Sequence, residues 1–233
     1  MASSEKSLVE NLLRVSRTVA EMMEARGFAP AVEDAGTHAK RLKIPAAFTQ
    51  ADVLDFYKSL VAKIGKNTFP SPAEMAGALA TTYTRGDKER WAVFYDVTED
   101  DKQVGIANVR GFLAHLDKAL VQGGIFITNT AMTSQAREAF RSLGFRQHQH
   151  FTFEQLLINV TKHVLVPKYE HIRDPEKIKA IAHGDKSRLP GMSVDDPIAR
   201  FYGAKVGELF VEHADVRIVP QMVSVATMIR RVI

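Results

Sequence analysis

The sequence predicts an α/β domain over residues 1–151 and a small α+β domain over residues 152–233. Three observations lead there. Strand and helix signatures alternate between Trp91 and Leu143, the pattern of a layered sheet with covering helices. A short segment, Asp196 to Gly207, has both ends of a helix written into it. Apolar runs of strand length then follow, at Glu208–His213, Val216–Val219 and Met222–Arg231.

In chain order, Ser7 to Arg26 predicts an amphipathic helix, with Leu8, Leu12, Val15, Val19 and Met22 at three- and four-residue spacing. Ser7 is its expected cap and Gly27 its end, and Arg14, Arg17 and Arg26 fall mostly off the apolar stripe. Phe28 to Pro45 is polar and reads as loop. Thr49 to Ile64 is a second helix, capped by Thr49, with Val53, Phe56, Tyr57, Leu60 and Ile64 on its buried face. Gly65 to Pro72 breaks it, and Ala73 to Ala80 is either a short helix or loop.

Thr81–Arg85 and Trp91–Val97 carry strand residues, with Gly86-Asp87-Lys88 as the turn between them. Thr98 to Lys102 is a polar turn, and Val104 to Ala119 a helix with Val109, Phe112, Leu113 and Leu116 on one face. Gly123–Asn129 is a short buried strand, so strand, helix and strand form a parallel crossover. Ser134–Leu143 is a helix capped by Thr133 or Ser134, and Phe151–Val160 is extended and leads into the second domain. There Asp174-Pro175-Glu176 opens a helix running through Ala182 and closed by Gly184. In the Asp196 segment, Asp195 or Asp196 caps, Pro197 takes the first helical position, and Gly203 supplies a left-handed end.

The order of motifs around that segment carries more than fold. Asn159-Val160-Thr161-x-His163-x-Leu165-Val166-Pro167-Lys168 comes first. Leu189-Pro190 follows, and then Asp196-Pro197-x-Ala199-Arg200-x-x-Gly203-x-Lys205-x-Gly207. This succession resembles the fifth, shared subunit of the eukaryotic nuclear RNA polymerases, whose C-terminal domain corresponds to a small subunit of the archaeal polymerase. Leu13-Arg14-x-x-Arg17-Thr18-Val19 with Ala25-Arg26-Gly27-Phe28 is similar to that family's opening helix. Val104-Gly105, Gly124-Ile125-Phe126 and Met132-Thr133-x-x-Ala136 are similar to its N-terminal jaw domain.

The resemblance implies a nuclease-like open sheet with helices for the jaw domain and a small assembly domain behind it. It implies a non-catalytic, structural subunit, with the jaw beside downstream double-stranded DNA and the assembly domain docked on the largest subunit. Neither cofactor, metal, small-molecule substrate nor membrane is implied, and the compartment is the nucleus. The DNA-proximal residues would be Arg14, Arg17, Thr133, Ser134, Gln135 and Arg137; a helix N-terminus offers free N–H groups and positive dipole to phosphate. The subunit interface would take in His163, Pro167, Leu189, Pro190, Asp196, Pro197, Arg200, Tyr202 and Gly203. Thr133-Ser134-Gln135-Ala136 stands where the family has Thr-Pro-Ser-Ala, Tyr169 where it has a second His, and Gly191 where it has Arg. The His213–Thr227 hairpin also lacks the usual turn, and such departures fit a paralogue dedicated to one polymerase, such as RNA polymerase I, as well as a shared subunit.

Composition bounds the alternatives. No cysteine is present, which excludes disulfides, Cys-based zinc sites and thiol catalysis. No run approaches a membrane span, and Met1-Ala2-Ser3-Ser4-Glu5-Lys6 lacks a signal-peptide layout. Net charge is +4, and it is divided evenly between the halves, so no concentrated basic stripe marks an autonomous DNA binder. His148-x-His150 is a weak metal motif without a carboxylate partner and reads as a surface or interface pair. His163 has no Ser or Cys nucleophile to serve, and Asn159-Val160-Thr161 matches a glycosylation triplet that a chain without cysteine or signal discounts. Asp96, with Asp100-Asp101-Lys102, gives the acidic-x-Lys pattern of metal-dependent nucleases. It falls in a polar turn, and a nuclease-fold enzyme is the competing class.

Overall fold

The computed structural model describes residues 3–31, 35–43, 48–65, 70–86, 89–98, 102–142, 147–183, 185–213 and 227–233. They form two compact units, Met1–Ile158 and Asn159–Ile233, each mixed in helix and strand and each with its own sheet.

The first unit opens with α1 (Ser3–Ala25), which starts earlier than its expected Ser7 cap, so Ser7 lies inside the helix. Gly27, at φ 79°, ends it as expected. The single apolar stripe is a misreading of this helix. Val9, Leu13, Ser16, Ala20 and Met23 are buried along with Leu12, Val15, Val19 and Met22, because α2 (Ala35–Lys43), α3 (Gln50–Ile64), α4 (Pro72–Leu79) and α7 (Phe153–Leu156) all pack on α1. Arg26, expected off the stripe, is only 2% exposed.

Phe28–Pro45 is not simply loop: it holds the two-residue strand β1 (Ala29–Pro30) and α2. Its polar composition hid both, since β1 exists only through pairing with β2 (Thr81–Arg85) and, among the described side chains of α2, the buried one is an arginine. The α3 helix has the expected Thr49 cap, in a full capping box with Asp52, and ends at left-handed Gly65. Residues 73–80 resolve in favour of helix, with Ser71 and Glu74 forming a second capping box.

The sheet runs β1-β2-β3-β4-β5, with β3 (Glu89–Asp96), β4 (Gly123–Thr128) and β5 (Gln147–Thr152). β1, β2 and β3 are antiparallel; β3, β4 and β5 are parallel, joined by α5 (Ile106–Lys118) and α6 (Ser134–Arg141). The parallel crossover expected from the sequence is present. The chain after Phe151 is not extended: α7 and a 3-10 turn at Val160–Lys162 occupy it. Asp87-Lys88, Leu143 and the run 99–101 lie outside the described residues.

Side chains alternate across a strand, and this sorts the core. Ala92 and Phe126 face α5 and α6, packing with Val109, Phe112, Leu116, Ala136 and Phe140. Trp91, Val93, Tyr95, Ile125 and Ile127 are buried on the opposite face. Every residue of β4 is buried. A Cβ on Gly124 would stand 2.5 Å from Leu116 Cδ2, and one on Gly123 would stand 2.6 Å from both the Gln147 carbonyl and the Trp91 ring. Both glycines are therefore required by close approach.

The second unit orders its sheet β6-β8-β9-β7, with β6 (Lys168–Ile172), β7 (Gly191–Met192), β8 (Leu209–His213) and β9 (Thr227–Val232). β6 and β7 have no strand signature in the sequence, whereas β8 starts one residue later than expected and β9 runs one residue further, to Val232. The expected strand Val216–Val219, the hairpin turn and Gly184 lie outside the described residues. The α8 helix (Pro175–Ile181) is capped by Asp174. Phe210, fully buried, sits at the centre of a cluster with Met192, Ile198, Ala199, Ala204 and Val232.

Replacing Gly123 by Ala is expected to destabilise the first unit by about 1–3 kcal/mol through overpacking against a backbone oxygen. Urea unfolding followed by fluorescence of Trp91, the chain's one tryptophan, measures it. An unchanged midpoint would show that the β4–β5 spacing relaxes freely.

Candidate docking surface and phosphate-facing loop

The α9 helix (Pro197–Tyr202) forms as its sequence dictates. Asp196 Oδ1 accepts the Ile198 N–H at 2.8 Å, Pro197 stands at the first helical position, and Gly203 ends the helix at φ 64°, ψ 38°. The Ala204 N–H then closes on the Ala199 carbonyl at 2.9 Å, the bond of a Schellman-type end.

A polar clamp holds this end. Arg173 donates through Nη2 to the Tyr202 carbonyl at 3.1 Å and through Nε to His171 Nδ1 at 3.1 Å. Arginine can only donate, so Nδ1 is an acceptor and His171 gives its proton at Nε2 to Glu208, 2.8 Å away. Glu208 also accepts the Lys205 N–H at 2.8 Å. Burial works to raise the Glu208 carboxyl. The His171 and Lys205 hydrogen bonds and the Arg173 charge outweigh it and hold the group below its ordinary range. The His171 ring stacks on Phe210 at 4.7 Å and meets Tyr202 edge-on at 5.9 Å.

The expected interface residues divide. Asp196, Arg200, Tyr202 and Gly203 are half-buried on or at the ends of α9, with Pro197 exposed beside them. Burial raises the Tyr202 hydroxyl and lowers the Arg200 guanidinium, the latter opposed by Asp195. His163 is exposed and caps the 3-10 turn, its Nδ1 accepting the Leu165 N–H at 3.3 Å; Pro167 is half-buried. Leu189 belongs elsewhere, packed against Ile172, Ile178 and Leu209, and the Pro190 carbonyl accepts the Arg231 N–H. Between and beside these lie residues that sequence reasoning passed over. Val164, Leu165 and Val206 are 74%, 70% and 70% exposed. The segments carrying them pack through Val160, Val166 and Ala204 onto the one cluster around Phe210.

In the first unit, Thr133 caps α6, its Oγ accepting the Ala136 N–H at 3.1 Å, and Ser134, Gln135 and Arg137 are exposed on the first turn. A short parallel bridge joins Val104 to Met132, so the entries of α5 and α6 are tied side by side at the carboxyl ends of β3 and β4. Arg14 and Arg17 stand apart from this loop in their bonding. Arg14 pairs with Glu10 at 3.0 Å and lies over the Phe48 ring; Arg17 pairs with Glu21 at 3.2 Å and is largely buried. His148 and His150 both pack their rings against Phe140, and His150 Nε2 meets Thr128 Oγ at 2.9 Å.

Residues 158–211 match the model of the family described as RNA polymerase Rpb5, C-terminal domain. That stretch makes the chain similar to the Rpb5 family. Similar proteins extend over more of it. Subunit RPABC1 of the DNA-directed RNA polymerases I, II and III of Caenorhabditis elegans is 21% identical over 201 residues, 85% of this chain and 86% of the relative. The DNA-directed RNA polymerase subunit 5-like protein 1 of Arabidopsis thaliana is 26% identical over 205 residues, 86% and 87% of the two chains. Subunit 5B of the polymerases IV and V of the same plant is 35% identical over 97 residues, 40% and 44%.

Within the Rpb5 family match fall the clamp, α9 and the exposed Val164, Leu165 and Val206. Nothing in these likenesses supports the nuclease reading. Asp96, raised by burial and bonded by Asn108 Nδ2 at 2.7 Å, is engaged with the entry of α5, and Asp100 and Asp101 lie outside the described residues. Among the described residues, no three His, Asp or Glu converge to hold a metal. The clamp was not legible in the sequence, because Tyr202 and Glu208, which it ties to His171 and Arg173, lie far along the chain.

Glu208 has a depressed folded pKa, so its contribution is present above the unfolded value near 4.3 and is lost as pH falls through the folded one. Glu208→Gln should cost about 1–2 kcal/mol at neutral pH and remove this acid-side loss. Hydrogen exchange of the β8 amides across that range checks it; equal acid sensitivity in both proteins would assign the loss to other groups.

Proposed function

We propose that this chain is a non-catalytic structural subunit of a nuclear DNA-directed RNA polymerase and acts in transcription. In this reading the first unit forms the lower jaw near downstream DNA and the second docks on the largest subunit. The observation that supports it most is the exposure of Val164, Leu165 and Val206 inside the stretch matched to the Rpb5 C-terminal domain. A free domain gains nothing by holding three aliphatic side chains in water beside a rigid, capped helix, whereas a partner surface covering them gains apolar burial of about 25 cal/mol per Å². His163, Pro197, Arg200 and Tyr202 would supply the polar margin.

The DNA role narrows from the residues first singled out. Arg14 and Arg17 are engaged with glutamates of their own helix. Thr133, Ser134, Gln135 and Arg137 remain, where exposed N–H groups and one cation suit phosphate contacts that position the duplex without reading its sequence. Catalysis would belong to other subunits. The relatives include both a subunit of polymerases I, II and III and one of polymerases IV and V. This chain is accordingly a shared subunit or a paralogue dedicated to one enzyme, such as RNA polymerase I, and works in the nucleus, or in the nucleolus if so dedicated.

Affinity purification of the tagged chain at moderate salt is expected to recover polymerase large subunits, and the identity of the largest one separates shared from dedicated. Val164→Asp with Leu165→Asp should reduce that recovery at least about tenfold, as loss of a buried interface anchor does, while leaving the chain folded. Recovery of a monodisperse chain alone would end the subunit reading.

A further inference from the structure

The opposite face of the first sheet contains polar groups that the proposed subunit role does not use. Arg41, on α2, is 3% exposed. Its Nη1 reaches Thr81 Oγ at 3.3 Å, a long bond, and its Nε has no protein acceptor. Among the described residues no carboxylate pairs with it. The Thr81 hydroxyl is itself committed to the Leu79 carbonyl at 2.9 Å. Tyr95, 1% exposed, likewise buries a hydroxyl with no protein partner.

Strand register brings the two together. Thr81 pairs directly with Val93, and Tyr95, two residues on, shares that face. Diagonal neighbours of this kind lie about 7–8 Å apart at the backbone, within reach of long side chains. The Arg41 charge also acts on the Tyr95 hydroxyl, which burial keeps protonated and therefore able to donate. Two donors, Arg41 Nε–H and Tyr95 O–H, thus lack acceptors in a place where, among the described residues, the guanidinium has no counter-charge. An uncompensated buried charge is costly. A neutral acceptor would satisfy the hydrogen bonds and leave the charge. The surrounding Leu79, Thr81 and Tyr83 are each 4% exposed or less, so an occupant has to be small.

We propose that Arg41 and Tyr95 form a buried binding site for a small monovalent anion of halide size, which latches α2 onto the sheet. The entry route follows from α2 itself. The helix packs on α1 and β1, and among its described side chains Arg41 alone is buried, with Leu42 half-buried. Lifting it opens the site, and an occupied site holds it down.

Bromide is the probe. In the full chain, thermal unfolding followed by Trp91 fluorescence should give a midpoint about 2–4 °C higher in bromide than in strongly hydrated fluoride at equal ionic strength. Arg41→Met should abolish the difference. Tyr95→Phe should keep it but require about fivefold more bromide, the worth of one donor. Crystals soaked in bromide should show an anomalous peak within hydrogen-bond distance of Arg41 Nε. Equal midpoints in the two salts, a bromide response that survives Arg41→Met, or the absence of that peak would each overturn the site. Should Arg41→Met fail to fold, the wild-type peak and midpoint decide.

Discussion

The close approach of β4 to its neighbours sets the geometry of the first unit. A strand buried on both faces reads as continuous hydrophobic sequence, yet β4 begins with two glycines because helix α5 and the Trp91 ring leave no room for a Cβ. That spacing brings Phe126 into stacked contact with Phe112 and Phe140, which meet each other tilted. It also fixes where the loops after β3 and β4 emerge. Thr98, Lys102, Asn129 and Thr130 knit those loops together through side-chain hydrogen bonds, so the first turn of α6 is presented by a rigid support rather than a free loop.

The second unit solves a related problem with polar groups. Its helix α9 is too short to be stable alone, and it is held by caps at both ends and by the chain of donors from Arg173 through His171 to Glu208. Each member of that chain is satisfied by the next, the condition under which a partly buried polar network specifies structure instead of weakening it. The aliphatic residues left in water nearby are therefore mounted on a fixed frame, and an interface that meets them needs little ordering on this side.

Much of this was legible in the sequence where the signal is local. Thr49, Thr133, Asp174 and Asp196 cap helices as their positions suggest, and Gly27, Gly65 and Gly203 end them. The motif order from Asn159 to Gly207 carried the family. Illegible were the features made by distant partners. The strands β1 and β7 have two residues each and exist through pairing. The burial of α1 on nearly every side depends on four other helices, and the polar run at 35–43 is a helix that packs on α1 and β1 and buries Arg41. The His171 clamp joins residues from β6, the turn before α8 and the approach to β8, which no window of sequence contains.

One consequence follows from strand order in the second sheet. β9 lies between β8 and β7, an interior position, although it comes after both in the chain. Until it is synthesised, β8 has a partner on one side only and β7 has none, and Phe210 lacks the Val232 side of its cluster. The first unit places its interior strand β4 in mid-sequence and can close while translation continues. The second is obliged to wait, so for a time the nascent chain carries a half-built sheet with open edges, the condition that chaperones exist to shield.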